Sequence, residues 1–287
     1  MWNGVILLLA ILLIILLTRR RIDAYTAYTI PKKIWTYWDD EAIPEFIHKC
    51  ISKWRRLNPD WEIIIIQPSN VRHYIPDADV LNFKFANTPP RRSDFVRLRV
   101  MARYGGLWCD ASIVPQKSFD WIIQEQEARK FEFMAYYRKS ATRNPNFPVI
   151  ESWMFACIPD CKFVEAWRDE MELMNDVAEE SDYKNYLMNR GVDPQDIPQP
   201  DYLNVYLAAQ AVLQKMDPEE IKRKIYVIES ETGPFKHSIE NDWNPEGAMR
   251  SLCSLSDLPD VIKLYGLERQ AINADPNLQC EIGRAHV

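Results

Sequence analysis

The stretch from Arg91 to Pro115 constrains the fold most, because it joins a helix pattern to a strand pattern through two adjacent glycines. It reads RRSDFVRLRVMARYGGLWCDASIVP. Apolar residues recur at helical spacing over Asp94–Tyr104, Ser93 is placed to cap that helix, and Gly105-Gly106 ends it. The apolar run Leu107–Val114 then predicts a buried strand. A helix that passes directly into a buried strand is typical of an α/β domain.

Strand and helix patterns alternate along the rest of the chain. Further apolar runs predict strands at Lys33–Trp38, Trp61–Ile66, Phe131–Tyr137, Trp153–Ile158 and Ile225–Ile228. Amphipathic spacing predicts helices at Glu45–Leu57, Lys162–Asp176 and Asp201–Met216. The alternation indicates an α/β fold with a mostly parallel sheet wrapped by helices. Residues 177–200 are acidic and then rich in proline, which predicts a surface excursion or a loop on the acceptor side.

Polar side chains stand where the helix and strand of residues 91–115 would meet a ligand. Asp94 and Arg97 are three residues apart, so they share one face of the helix. Asp110 and Ser112 close the strand, and side chains two apart along a strand point the same way. In open α/β sheets, ligands lie beyond the carboxyl ends of strands. A pair of oxygen ligands there suits Mg²⁺ or Mn²⁺, which bind diphosphate oxygens.

Several ordered blocks carry a resemblance to a known family. The stretch SDFVRLRVMARYGGLWCDAS resembles the DXD-containing sugar-binding region of A-type (GT-A) glycosyltransferases. The chain is most similar to the capsular polysaccharide synthesis family, a relative of the Och1-like mannosyltransferases and the glucosylating clostridial toxins. The resemblance runs from about residue 30 to 266 and includes the blocks IPKKIWTYW, SKWRRLNPDWEI, ESWMFAC and DYLNVYLAAQAVL. It implies a GT-A fold, which is a Rossmann-like nucleotide-diphospho-sugar transferase architecture.

The resemblance also implies roles for single residues of the donor site. Trp35 would stack on the nucleotide base, although Trp35 and Trp38 taken alone also fit positions in the core. Asp94 would bind ribose or donor-sugar hydroxyls. Arg97 would reach the sugar or the diphosphate, and Asp110 matches the first Asp of DXD. Arg97 and Asp110 are therefore the expected catalytic residues.

A metal site and an acceptor side follow from the same resemblance. Ser112 stands where the second Asp of DXD would be, and a neutral hydroxyl is a poorer ligand for a hard cation. The expected cofactor is Mn²⁺ or Mg²⁺, held by Asp110 and Ser112 with His237 as a third candidate ligand. Glu151 and Asp201 lie in matching blocks and would face the acceptor.

The resemblance implies transfer of a sugar from a nucleotide sugar, with UDP favoured, to a hydroxyl of a glycan or polysaccharide acceptor. Inversion and retention at the sugar carbon both remain open. Two other classes are a weakened relative that only binds sugar nucleotides, suggested by the neutral Ser112, and a hydrolase with paired carboxylates. The net charge of −6 and a pI near 5.4 argue against nucleic acid as a partner.

The ends of the chain are predicted to lie outside the catalytic domain. Residues 1–18 contain the apolar run VILLLAILLIILL, which predicts a single transmembrane anchor in contact with membrane lipid. The alternative is a cleaved signal peptide, but no basic residues precede the run and no small-x-small cleavage site follows it. Residues 19–29 form a short stem, and residues 30–280 form the GT-A domain. The tail EIGRAHV, residues 281–287, resembles translated sequencing adapter and is set aside.

The side of the membrane is predicted differently by two signals. Arginines directly after the apolar run and the lack of glycosylation sequons favour a domain in the cytoplasm. Eukaryotic members of related families with an N-terminal anchor face the Golgi lumen, and this resemblance favours a lumenal domain.

Overall fold

The computed structural model describes residues 28–254 and 258–279 and has one main sheet of six strands. Its order is β2-β1-β3-β6-β5-β7, and a separate pair, β4-β8, lies beside it. The strands are β1 (Lys33–Tyr37), β2 (Glu62–Ile66), β3 (Gly106–Cys109), β4 (Ile113–Pro115), β5 (Phe133–Tyr137), β6 (Ile150–Cys157), β7 (Ile225–Glu229) and β8 (Val261–Lys263).

The direction of the strands confirms the prediction of a mostly parallel sheet. β1 pairs parallel with both β2 and β3, and β5 pairs parallel with β7. Within this sheet, only β6 is antiparallel to its neighbours, β3 and β5. Five of the six strands therefore end at the same edge of the sheet, where α/β proteins place their ligands.

Helices separate most of the strands along the chain. They are α1 (Glu45–Leu57), α2 (Val71–Tyr74), α3 (Pro89–Tyr104), α4 (Asp120–Arg129), α5 (Lys162–Glu172), α6 (Asp182–Asn189), α7 (Asn204–Leu213), α8 (Pro218–Lys224), α9 (Lys236–Ile239), α10 (Pro245–Ser254) and α11 (Gly266–Ala274). α3 packs against β1 and β3 and also against α5, which in turn packs against α7. α7 is buried along its whole length, since it lies between α5 and β6.

The structure corrects two of the predicted boundaries around the site. α3 begins at Pro89, so Ser93 lies inside the helix and does not cap it. The predicted strand Leu107–Val114 is broken, because the chain turns after β3 and the Ile113 amide donates to the Asp110 carbonyl. Asp110 and Ser112 therefore do not lie on one face of a single strand, as predicted, although both residues line the same cleft.

Two glycines make the sharp passage from α3 into β3 possible. Gly105 and Gly106 have φ of 60° and 102°, a region that side chains with a Cβ rarely adopt. A Cβ on Gly105 would also lie 2.6 Å from the Pro159 nitrogen. The glycine pair thus sets the short link that brings Asp94 and Asp110 to one place.

The predicted surface excursion at residues 177–200 contains regular structure, since α6 lies within it. The predicted anchor at residues 1–18 and the tail at residues 281–287 fall outside the described part of the chain, as does most of the stem. No helix within residues 28–254 and 258–279 has the length and hydropathy needed to cross a membrane.

Candidate active site

A large cleft opens at the carboxyl ends of β1 and β3. Its volume is about 1240 Å³. β1 leads into Trp38 at its rim, β3 delivers Asp110 to its floor, and α3 contributes Asp94 and Arg97. Lys263 of β8 and Arg269 of α11 line the same floor, although they lie far from the other residues in sequence.

The structure brings together three of the predicted site residues. The Arg97 guanidinium lies 3.3 Å from an Asp94 oxygen and 3.4 Å from an Asp110 oxygen. Arg91 also pairs with Asp94, at 3.1 Å. Burial raises the pKa of Asp94, while the neighbouring Arg97 and Arg91 act in the opposite direction. Two carboxylates therefore share one arginine at the base of the cleft.

Arg97 is a buried scaffold of this cluster. It is only 5% exposed, and its guanidinium donates to the carbonyl and hydroxyl of Ser152 at 2.7 and 2.8 Å. It also donates to the Ser93 hydroxyl and lies 5.2 Å from the Trp108 ring centroid. These contacts occupy most of its donors, so Arg97 holds Asp94 and Asp110 in place instead of reaching far into the cleft.

Lys263 is the partner of Asp110, and it is not among the site residues predicted from the sequence. The Lys263 ammonium donates to Asp110 Oδ2 at 2.6 Å, and Trp108 Nε1 donates to Oδ1 at 3.2 Å. Burial alone would raise the pKa of Asp110, but Lys263 and Arg97 outweigh it and hold this pKa below its usual value. Burial also lowers the pKa of Lys263, which Asp110 partly offsets. Asp110 is thus an ionised carboxylate with a cation already beside it.

Ser112 is engaged in a similar way by Arg269. The Ser112 hydroxyl donates to the Leu264 carbonyl at 3.2 Å and accepts from Arg269 Nη1 at the same distance. Arg269 also donates to the Leu264 carbonyl, at 3.0 Å. Ser112 is 4% exposed, so its oxygen faces this arginine and little solvent.

His237, the third candidate metal ligand, lies in the interior. It is 1% exposed, and its Nε2 lies 3.3 Å from the buried Glu268 carboxylate and 3.2 Å from the Ser238 hydroxyl. It does not line the cleft. The prediction that His237 completes a metal site is therefore wrong, because α9 turns its ring toward α11.

The donor set does not fit a divalent cation. A hard cation needs several oxygen ligands, with carboxylates preferred. Asp110 carries a lysine on one oxygen, and the neutral Ser112 hydroxyl contacts an arginine. Within the described residues, no three His, Cys, Asp or Glu side chains are grouped as a metal would require.

Trp35 lies in the core, which contradicts its predicted role in base stacking. Its ring is 1% exposed, stacks on Tyr104 at 5.3 Å, and donates from Nε1 to the Gly105 carbonyl at 2.9 Å. Trp38 is partly exposed and lines the cleft just after β1. Trp38 directly follows the last residue of β1, at the carboxyl end where α/β sheets bind ligands. This position is the sequence signal that would have favoured Trp38 over Trp35 for base stacking.

Glu151 lines the wall of the cleft as part of a saturated network. Its carboxylate accepts from Trp153 Nε1 at 2.9 Å and from the Tyr206 and Ser230 hydroxyls. Arg138 lies 3.6 Å away. Glu151 is 2% exposed and fixes the aromatic wall.

Asp201 lies outside this cleft, in a smaller cavity next to it. That cavity has a volume of about 500 Å³ and is lined by Arg91, Asp94, Glu180 and Asp201 among others. Arg91 donates to the Asp201 carbonyl at 3.0 Å and pairs with Glu180. Tyr202 lines both cavities, so this loop borders the cleft through Tyr202 and not through Asp201.

Lys263 and Arg269 were not predicted because the sequence around Asp110 carries no signal for them. Lys263 interrupts the apolar run Val261-Ile262-Lys263-Leu264, and a lone charge in such a run is the one available signal. The antiparallel pairing of β8 with β4, which matches Lys263 to Ile113, is what carries it to the cleft.

Residues 16–188 match the family described as capsular polysaccharide synthesis protein. Two relatives are the glycosyltransferase afumC of Aspergillus fumigatus, 28% identical, and the O-glycosyltransferase PaGT of Phomopsis amygdali, 24% identical. These matches cover 37% and 52% of this chain but only 31% and 40% of the relatives. The chain thus spans less than half the length of either.

Solved glycosyltransferases show a weak likeness in fold. One is the galactosyltransferase LgtC with donor and acceptor sugar analogues, at a TM-score of 0.43 and 12% identity. The match covers 89% of this chain and 96% of the LgtC chain. Another is mouse xyloside xylosyltransferase 1, at a TM-score of 0.41 and 8% identity. That match covers 80% of this chain and 96% of the mouse enzyme. The family match covers more than half of this sequence, and the chain belongs to the capsular polysaccharide synthesis protein family.

Proposed function

We propose that this protein is a glycosyltransferase that uses a nucleotide-sugar donor, with UDP as the first nucleotide to test. One observation carries the proposal: Asp94 and Asp110 are held together by Arg97 on the floor of a large cleft at the carboxyl ends of the strands. Family membership and the glycosyltransferase names of the relatives support it.

The reaction would break the bond between the anomeric carbon of the sugar and the β-phosphate oxygen. A new bond forms between that carbon and an acceptor hydroxyl oxygen, and the hydroxyl proton is released. Negative charge grows on the departing diphosphate, and preorganised charges and donors are the strongest means of stabilising it. The donor sugar lies over Asp94, whose carboxylate accepts from sugar hydroxyls.

Different residues that line the cleft suit different parts of the substrates. Trp38 at the end of β1 is partly exposed and offers an aromatic ring to the nucleotide base. Tyr202 and the loop at residues 196–203 also border the cleft, and a glycan or polysaccharide acceptor would enter beside them. Glu151 supports the cleft wall through Trp153 and Tyr206.

The proposed location is a Golgi-type membrane, anchored in lipid by residues 1–18, with the domain on the lumenal side. Cys253 is disulfide-bonded, and disulfides persist in oxidising compartments such as the secretory pathway. Protease treatment of sealed vesicles that carry a C-terminally tagged chain tests the orientation. Protection without detergent is expected, and full digestion would contradict the lumenal side.

The function is tested with full-length protein in detergent and a panel of UDP and GDP sugars. Slow hydrolysis of one donor, seen as release of its nucleoside diphosphate, is the expected result. Asp94→Asn should reduce this release at least about tenfold, because a neutral amide is a weaker acceptor for sugar hydroxyls. Binding of free UDP or GDP should change little, since Asp94 contacts the sugar.

Asp120→Asn is the matched control. Asp120 begins α4, binds Trp61 Nε1 at 2.9 Å and does not line the cleft. Release should stay within about twofold of wild type, the range of a neutral surface substitution. Tight nucleotide binding without release from any donor would favour the weakened, binding-only relative, which the neutral Ser112 suggests. Glycosidase activity without a nucleotide sugar would favour a hydrolase.

A further inference from the structure

Three cations surround Asp110 and Ser112 at the cleft floor. Lys263 lies 2.6 Å from Asp110, Arg97 lies 3.4 Å from it, and Arg269 lies 3.2 Å from the Ser112 hydroxyl. Asp94 and Asp110 share Arg97, and Asp110 also pairs with Lys263, whereas no carboxylate within the described residues forms an ion pair with Arg269. This end of the cleft therefore carries an excess of positive charge before any ligand enters.

Three acidic side chains elsewhere in the cleft each lie beside a cation. Asp39 is paired with Arg92 by two contacts of 2.6 Å. Asp196 lies 3.2 Å from Arg143, and Glu151 lies 3.6 Å from Arg138. The positive charges of Lys263 and Arg269 at the floor can therefore attract an anion.

Lys263 and Arg269 are also better placed to meet a ligand than Arg97. The N–H donors of the Arg97 guanidinium are occupied by Ser93, Ser152 and the two aspartates. The Lys263 side chain keeps 11% exposure, and an ammonium has three donors, of which the Asp110 contact uses one. Arg269 is partly exposed, and its Nη1 is the only one of its nitrogens that makes a hydrogen bond within the described residues, to Ser112 and Leu264.

We propose that this protein binds the donor diphosphate without a divalent metal, through the Lys263 ammonium and the Arg269 guanidinium. The proposal rests on the proposed function, and it assigns to these two residues the charge that a metal would supply. Asp110 and Ser112, the expected metal ligands, contact Lys263 and Arg269 respectively. This geometry is the one expected if the two side chains replace a metal ion.

The two cations have matching tasks in the transfer. Lys263 and Arg269 bind oxygens of the diphosphate and stabilise the charge that grows there when the bond to the sugar breaks. Asp110 is then a positioning residue, since its carboxylate holds the Lys263 ammonium at the floor. Ser112 does the same for Arg269.

The test measures binding of UDP and GDP to EDTA-treated full-length protein by calorimetry, before and after addition of Mn²⁺. One nucleotide should bind without metal, and Mn²⁺ should change its Kd by less than about twofold. Lys263→Met should weaken binding at least about tenfold with or without Mn²⁺, the effect of losing one charge-assisted hydrogen bond. Lys263→Arg should retain most of the affinity because it keeps the charge.

Three further variants guard against a fold defect. Lys117→Met removes the lysine of a Lys–Asp pair with Asp260, 2.7 Å long and outside the cleft, and should bind like wild type. Asp110→Asn should retain nucleotide binding, whereas loss of a metal ligand would abolish it. Lys263→Met in the Asp110→Asn background leaves no unpaired charge and should still bind at least about tenfold more weakly than Asp110→Asn alone.

Nucleotide binding by wild type that needs Mn²⁺ would overturn the proposal, and so would wild-type affinity in Lys263→Met. Failure of the folded wild type to bind UDP or GDP under either condition would overturn the proposed function itself, and this inference with it.

Discussion

Single side chains set the charge of the cleft floor, and the pair of Asp110 with Lys263 dominates it. The two side chains are 24% and 11% exposed, so each charge is largely removed from water. Removing one partner leaves the other uncompensated, which costs more than removing both. The pair is therefore expected to matter for stability as well as for ligand binding.

A double-mutant cycle measures this coupling. Asp110→Asn and Lys263→Met should each lower the free energy of unfolding by about 2–4 kcal/mol. The double variant should lose less than the sum by about 1–3 kcal/mol, since neither charge is then left alone. Urea unfolding of the four proteins gives the coupling. Additive losses would show that the contact does not stabilise the fold.

The stability from Asp110 should depend on pH in one direction. Lys263 and Arg97 hold the pKa of Asp110 below its ordinary value of 3.8, so its stabilisation is complete above that value. It is lost as the pH falls through the lower pKa of the folded state. The difference in unfolding free energy between wild type and Asp110→Asn should thus be equal at pH 7 and pH 5. If this difference in unfolding free energy became smaller between pH 7 and pH 5, the low pKa assigned to Asp110 would be contradicted.

The two tryptophans of the first strand region should separate stability from binding. Trp35→Ala should lower the free energy of unfolding by about 3–5 kcal/mol, because the ring fills the core. Trp38→Ala should leave thermal stability nearly unchanged but weaken nucleotide binding about tenfold, the loss of one stacked base. Melting curves and calorimetry on both variants check this, and equal effects on binding would contradict the roles assigned here.

Among the structural elements, the link between α3 and β3 positions the site. The sequence predicted this helix, its glycine end and the buried strand, since each depends on local patterns. It did not predict that the strand breaks at Asp110. That break follows from the pairing of β4 with β8, which lies about 150 residues away along the chain, and local patterns carry no information on such a contact.

Glycine substitutions test that link. Gly105→Ala combines a positive φ with backbone atoms 2.6–2.7 Å from the new Cβ, and should lower the free energy of unfolding by about 3 kcal/mol or more. Gly191→Ala has a φ of 83° but open space, and should cost only about 1 kcal/mol. Gly233→Ala has neither problem and serves as the neutral control. Equal stability of Gly105→Ala and Gly233→Ala, measured by urea unfolding, would contradict the strained link.

Across the domain, the sheet gathers residues from three distant segments at one edge. Asp94 and Asp110 were predictable because one helix–strand unit carries them. Lys263, Arg269 and the neighbouring cavity at Asp201 were not, since their places depend on how β8, α11 and the loop before α7 pack. The same holds for His237, which the packing of α9 on the following helices turns inward.

The most direct test of the whole account is a crystal structure of the protein with the nucleoside diphosphate that the donor screen identifies. The base should lie against Trp38, and the diphosphate oxygens should lie within hydrogen-bond distance of Lys263 and Arg269. A nucleotide bound outside this cleft would contradict the proposed function. A divalent cation between Asp110 and the phosphates, with Lys263 displaced, would contradict the metal-free site.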